Sequence, residues 1–345
     1  MIAGASVHPG RRAAHAGSRA RPRRLALATL VLLALAGGPQ APSHAQAFPS
    51  KPLRLIVPFP AGGATDIVGR LLAQKLSDPL GQPVLVDNRG GAGGTIGSDL
   101  AAKAAPDGHV LLLGTSSTHA VAPALYPKLS YDPARDFAPV TLAASATILL
   151  AVHPSVPAKD VRGLVALARQ RPGALAYASS GNGGISHLVG EQFSAMAGIR
   201  MLHVPYKGDT PALADLAGGQ VALMFGTAVS FLPYVKSGRL KALAVTNPKR
   251  SAIMPEVPTV AESGLPGFDA LQWFGVYAPA GTPRDVITRL NADLVKILRL
   301  PDVRETLANL GAEVVGNTPE QFAEFQRADA AKWARVVKAS GARID

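Results

Sequence analysis

No cysteine occurs in the chain, which excludes disulfide bonds, thiolate metal sites and cysteine nucleophiles. Aromatic residues make up only 5% of the sequence and are not interleaved with basic stripes. That pattern leaves no footprint for a nucleic-acid partner. Acidic residues are also in deficit, 23 against 35 lysines and arginines, for a formal net charge of +12. Six of the arginines lie in the first 47 residues, so the remainder carries 29 basic and 23 acidic side chains and a net charge of +6. Beyond that segment no apolar run reaches the roughly 20 residues needed to span a bilayer. Metal-ligand spacing is missing too, because His109, His119, His153, His187 and His203 are dispersed. Neither a Gly-x-Ser-x-Gly elbow nor a Gly-Lys-Ser/Thr phosphate loop is present.

What is present begins with an address. Arg11, Arg12, Arg19, Arg21, Arg23 and Arg24 form a basic start, Leu25 to Ala36 an apolar run, and Ala45-Gln46-Ala47 a small-residue ending. Together they describe a secretory signal peptide over residues 1–47, cleaved after Ala45 or Ala47. The mature protein is therefore expected outside the cytoplasm, without a membrane anchor.

From Phe48 onward, short apolar strands alternate with helical spacing. Pro52–Val57, Val84–Val86 and Val110–Leu113 read as strands, with helices over Asp66–Leu76 and from about Ser98 to Ala105. A second set follows, with strands at Thr147–Val152, Leu175–Ala178, Val221–Phe225 and Leu240–Val245 and helices at Val161–Gln170 and Ser186–Met196. From Asp285 the chain is mainly helical. Two α/β sets and a helical return predict two lobes, each a mainly parallel sheet flanked by helices.

Two glycine-rich turns each link a predicted strand to a predicted helix: Phe59-Pro60-Ala61-Gly62-Gly63-Ala64-Thr65-Asp66 and Ser180-Gly181-Asn182-Gly183-Gly184-Ile185-Ser186-His187. Converging N–H groups and the helix dipole suit such a turn to an anion. An ordinary βα turn uses the same residues, with glycine at positive φ and Thr65 or Ser186 as a cap. Recurrence in both halves is what points to a shared anion site. The cluster Gly91-Ala92-Gly93-Gly94-Thr95-Ile96-Gly97 opens like a dinucleotide fingerprint, but Ile96 takes the place of the third glycine. Asp209 or Thr210 is expected to cap a helix that begins at Pro211. An alternative reading of the whole is an exported serine hydrolase acting on a small ester, using Ser180 or Ser186 with His187.

The chain resembles the Bug family, the TctC-like receptors of tripartite tricarboxylate transport. The resemblance runs through Pro58-Phe59-Pro60-Ala61-Gly62-Gly63-Ala64-Thr65-Asp66, Ala105-Pro106-Asp107-Gly108, Gly114-Thr115-Ser116-Ser117-Thr118-His119, His203-Val204-Pro205-Tyr206-Lys207-Gly208 and Pro279-Ala280-Gly281-Thr282-Pro283. It covers essentially all of the sequence after the leader. It implies a periplasmic Venus-flytrap fold of type II, with lobe 1 over 48–146 plus 271–345, lobe 2 over 147–270, and two crossing segments. It implies capture of a small carboxylate for a tripartite membrane permease, by a monomer without catalysis, cofactor or metal. By resemblance Phe59, Ala61, Gly62, Gly63, Thr65 and Asp66 would grip the carboxylate from one lobe, partly through ordered water. Ser180, Asn182, Gly183, Ser186 and His187 would grip it from the other, and Thr115, Ser116, Ser117 and His119 would line the same cleft. Two departures stand out: Gly90 replaces a common proline, and Gly226 follows Met224-Phe225 where relatives often carry aspartate. With Gly226 facing the ligand's distal end, an ammonium partner is missing, so aspartate and glutamate are expected to be poor ligands. A dicarboxylate, an aromatic acid or another carboxylate with an uncharged tail is expected instead.

Overall fold

The structure, a computed structural model, describes residues 48–344; the leader expected over 1–47 lies outside the described residues. The chain starts with β1 (Leu53–Val57), α1 (Ala64–Leu80), β2 (Val84–Asn88), α2 (Thr95–Ala102) and β3 (Val110–Thr115). Val68, Leu72, Leu76 and Leu80 recur every fourth residue, which gives α1 a continuous buried stripe. Gly81, at φ 64°, ends it in the left-handed conformation. A π-helical segment at Ser117–Val121 and the short α3 (Ala122–Leu125) lead to β4 (Phe137–Ala146).

Thr147 alone separates β4 from β5 (Ile148–Val152). The second set then runs α4 (Val161–Gln170), β6 (Ala176–Ser179), α5 (Ile185–Ala197), β7 (Leu202–Pro205), α6 (Asp209–Ala217), β8 (Leu223–Thr227), α7 (Ala228–Lys236) and β9 (Lys241–Val245). The chain returns through β10 (Gln272–Pro279), α8 (Arg284–Leu298), α9 (Pro301–Asn309), β11 (Ala312–Val314) and α10 (Pro319–Ser340). These strands build a six-stranded sheet, β11-β4-β10-β3-β1-β2, and a five-stranded one, β7-β6-β8-β5-β9.

The two-lobed α/β expectation holds, and the sheets are mixed rather than mainly parallel. Strands β1, β2 and β3 are parallel, as are β6, β7 and β8. Within each sheet one strand arrives from the other lobe and runs against its neighbours: β10 against β3 and β4, and β5 against β8 and β9. The cleft lies at the C-terminal edges of the parallel strands, so a segment entering a sheet from the cleft begins at that edge and runs backwards. Sequence periodicity carries no direction, and nothing in it separates these strands from the parallel ones. Thr246 ties the two crossings together. Its N–H donates to the Ile148 carbonyl, and its hydroxyl lies within hydrogen-bond distance of the Ile148 and Ala270 carbonyls.

The last helix, α10, begins with a capping box between Thr318 and Gln321. It packs on the six-stranded sheet through Phe322, whose ring meets Trp273 edge-on at 5.8 Å and lies 4.8 Å from the ring of Tyr277. A Cβ on Gly275 would stand 2.0 Å from that ring, so β10 needs glycine there. Trp273 Nε1 donates to Asp329 of the same helix at 2.7 Å. Because Phe322 is fully buried, Phe322→Ala is expected to cost about 3–5 kcal/mol of stability. Urea unfolding checks this as a lower midpoint with an unchanged slope.

Candidate functional site

Between the two sheets, at the edge where the parallel strands end, lies a small cavity. Ligands of open α/β folds bind outside the carboxyl ends of strands in this way. The first lobe contributes Phe59, Ala64 and Thr65 after β1, Ser117 after β3, and Gln272 and Phe274 from β10. From the second lobe come Ser180, Ile185 and Ser186 after β6, Phe225, Gly226 and Thr227 at the end of β8, Ile148 of β5, and Asp209. Strand register explains the incoming members: Phe274 pairs with Thr115 and Ile148 with Thr227, which brings both to the cleft edge.

Helices α1 and α5 both start at this cavity, with Gly63 and Gly184 as N-caps that offer no side-chain oxygen. Among the described residues, no protein acceptor meets the N–H groups of Ala64, Thr65 and Ser186. First-turn N–H groups of a helix are unsatisfied by its own backbone and carry its positive end. Ser186 does not cap its helix. Its hydroxyl accepts from the Ser180 N–H at 2.9 Å and lies 3.0 Å from Ser180 Oγ. Apart from Asp209, no ionisable side chain lines the cavity.

Contacts between the lobes close the cleft. The Ile185 N–H donates to Ser117 Oγ at 2.9 Å, linking the second helix start to the first lobe. Tyr126 Oη reaches the Asn182 carbonyl at 3.1 Å and the Ala92 carbonyl at 2.8 Å. Thr210 Oγ1 lies 3.4 Å from the Ala61 carbonyl.

Of the expected site residues, Phe59, Thr65, Ser117, Ser180, Ser186 and Gly226 line the cavity. The others fall outside its lining, and most have a visible structural task. Asp66 accepts from the Gly62 N–H, Arg70 and Asn88, all within 3.0 Å, and so holds the first turn. Burial pulls its pKa up, but those hydrogen bonds outweigh it and leave the carboxyl below its ordinary range. Gly63 caps α1, while Ala61 and Gly62 are exposed. Asn182 lines a second, outer groove beside the cavity, formed with Pro60, Gly93, Tyr206 and Lys207, and Gly183 packs on the Tyr126 ring.

His119 and His187 are packing residues. His119 stacks on Tyr277 at 4.1 Å, and burial pushes its pKa down to about 3. His187 stacks on His203 at 4.0 Å, and burial lowers both to about 4. Two neutral imidazoles can lie face to face, whereas charged ones would repel. Thr115 is buried in β3, and Ser116 Oγ donates to Gln272 Oε1 at 2.9 Å.

For the hydrolase alternative, neither Ser180 nor Ser186 forms a dyad with His187, and the Ser179 Oγ that lies 2.6 Å from His203 Nε2 is fully buried. His187 Nδ1 accepts from the Gly183 N–H, and its Nε2 faces Glu191 at 3.9 Å, away from both candidate serines. The glycine cluster at 91–97 packs against the other lobe, where a Cβ on Gly93 would stand 2.8 Å from the Asn182 carbonyl. Ile96, in the third fingerprint position, is exposed.

The sequence reading missed Asp209. It is the first residue of α6 behind the N-cap Gly208 and makes no cap hydrogen bond, so the expected cap at Asp209 or Thr210 is absent. It puts a carboxylate into a cavity that the Gly226 argument treated as lacking one. At Gly226 itself a Cβ would stand 2.1 Å from the Phe231 ring, which fills the space of a side chain there.

Comparison with known proteins follows the same lines. The family profile TctC, tripartite tricarboxylate transporter family receptor, matches residues 68–342. The chain is 40% identical over 319 residues to the protein BugT of Bordetella pertussis, covering 92% of this chain and 98% of that one. Among solved structures, R. palustris Rpa4515 with adipate superposes with a TM-score of 0.84 at 38% identity, covering 86% of this chain and 100% of that one. MatC (Rpa3494) from Rhodopseudomonas palustris with bound malate gives a TM-score of 0.81 at 36% identity, covering 84% and 100%.

The role of Asp66 generates a prediction. Asp66→Asn is expected to cost about 1–3 kcal/mol at pH 7, the usual range for losing hydrogen bonds to a charged group. Because the folded pKa is lowered, this stability is present above the unfolded pKa of about 3.9 and is lost as pH falls through the folded value. Denaturation at pH 7 and at stepwise lower pH should show the two proteins converging in acid.

Proposed function

Because the chain belongs to the tripartite tricarboxylate transporter receptor family, we propose that it is an extracytoplasmic receptor that captures a small carboxylate between its lobes. One observation carries this reading. Two helix starts from opposite lobes bring free N–H groups and serine hydroxyls to one cavity that no Lys, Arg or His lines. Backbone donors and helix dipoles stabilise a carboxylate without a counter-charge. Two of the similar solved structures, Rpa4515 with adipate and MatC with bound malate, carry carboxylates.

Capture then couples to closure. A carboxylate held by Ala64 and Thr65 on one side and Ser186 on the other binds fully only when the lobes meet. The ligand therefore favours the closed state by its differential contacts. Residues 48–146 plus 271–345 form the first lobe and 147–270 the second, with Thr147 and the segment before Gln272 as the crossings. The leader at 1–47 sends the protein to the periplasm, where it works as a monomer without a cofactor and delivers ligand to a tripartite permease.

A thermal-shift screen of residues 48–345 against carboxylates, amino acids and nucleotides tests the proposal. A ligand at about 100 times its Kd should stabilise by about 2.7 kcal/mol. Ser186→Ala should then weaken the best carboxylate about tenfold by calorimetry, the cost of one hydrogen bond to a charged group. Stabilisation by nucleotides alone would overturn the reading.

A further inference from the structure

We propose that Asp209 makes the site selective for carboxylates with a hydrogen-bond donor, an ammonium or a hydroxyl, on the carbon beside the gripped carboxylate. This rests on the carboxylate reading above and names the class of ligand within it.

Among the described residues, Asp209 is the only ionisable side chain in the cavity wall. Among the described residues it has no hydrogen-bond or ion-pair partner within the protein, and it leaves the start of its own helix uncapped. Two cations, Arg70 on the helix that Asp209 faces and Lys207 two positions before it, are engaged elsewhere. Arg70 is bound to Asp66, and Lys207 lines the outer groove beside Tyr206 and Asn182. Burial raises the Asp209 pKa to about 6, as expected for a carboxyl without a compensating charge.

Its position identifies what it would meet. Asp209 Cβ and Oδ2 both lie 3.8 Å from the place of a Cβ on Gly63, the N-cap of α1. The carboxyl thus reaches across the cleft to the helix start proposed to hold the ligand. An unsubstituted acid bound there would set two carboxylates side by side with no cation between them. A donor on the first carbon of the ligand removes that conflict by bonding to Asp209. Elsewhere the wall offers no second carboxylate: Ile148, Phe225 and Phe274 are apolar, and Phe231 fills the side-chain space at Gly226.

Calorimetry with matched pairs tests the inference: L-malate against succinate, L-glutamate against glutarate, and L-phenylalanine against 3-phenylpropanoate. With the wild-type protein, the substituted member of the pair whose skeleton fits should bind at least about tenfold more tightly, as sites built around a donor reject analogues lacking it. In Asp209→Ala and the isosteric Asp209→Asn, both checked for folding by circular dichroism, that ratio should fall to within about threefold. An unsubstituted acid that binds the wild type as tightly as its partner would overturn the inference while leaving the receptor reading intact. So would a preference that survives in both variants. Binding by none of the six would remove the carboxylate reading and this inference with it.

Discussion

The structure turns on two helix starts that share one cavity. Helices α1 and α5 come from different lobes, and each brings unpaired N–H groups and a partial positive charge to the same small space. Like poles disfavour closure unless something negative lies between them. A carboxylate would serve that purpose without arginine or lysine, and it would bind strongly only where both starts reach it. Selectivity and closure thereby share one electrostatic cause.

The fold supplies this arrangement through strand direction. All five strands that deliver lining turns or helix starts, β1, β3, β6, β7 and β8, end at the cleft. The two strands that cross the cleft enter from the same edge, run antiparallel to their neighbours and place Phe274 and Ile148 in the wall. Thr246 joins the crossings through the Ile148 and Ala270 groups.

Much of the polar chemistry near the cavity holds the walls in shape. Asp66 uses its carboxylate on the first turn, and Ser116 braces Gln272. Stacked, neutral His187 and His203 back the second turn. Family resemblance brought Asp66, His119 and His187 forward as ligand contacts, because residues that shape a turn and residues that touch a ligand occur in the same motifs. Burial and hydrogen-bond direction separate them, and both are tertiary properties.

By itself the sequence determined the two α/β sets, the glycine turns that start α1 and α5, and the family. These depend on local rules, namely hydrophobic period, turn chemistry and ordered motifs, which a linear chain displays. It also pointed to Phe59, Thr65, Ser117, Ser180, Ser186 and Gly226, which line the cavity. Only the tertiary structure decided that the sheets are mixed and that α10 covers the first sheet. It alone brought Asp209 to the wall, beside a helix start 146 positions earlier in the chain. No local pattern marks that meeting. A carboxylate at the first turn of a helix looks like an ordinary cap until the opposite lobe closes over it.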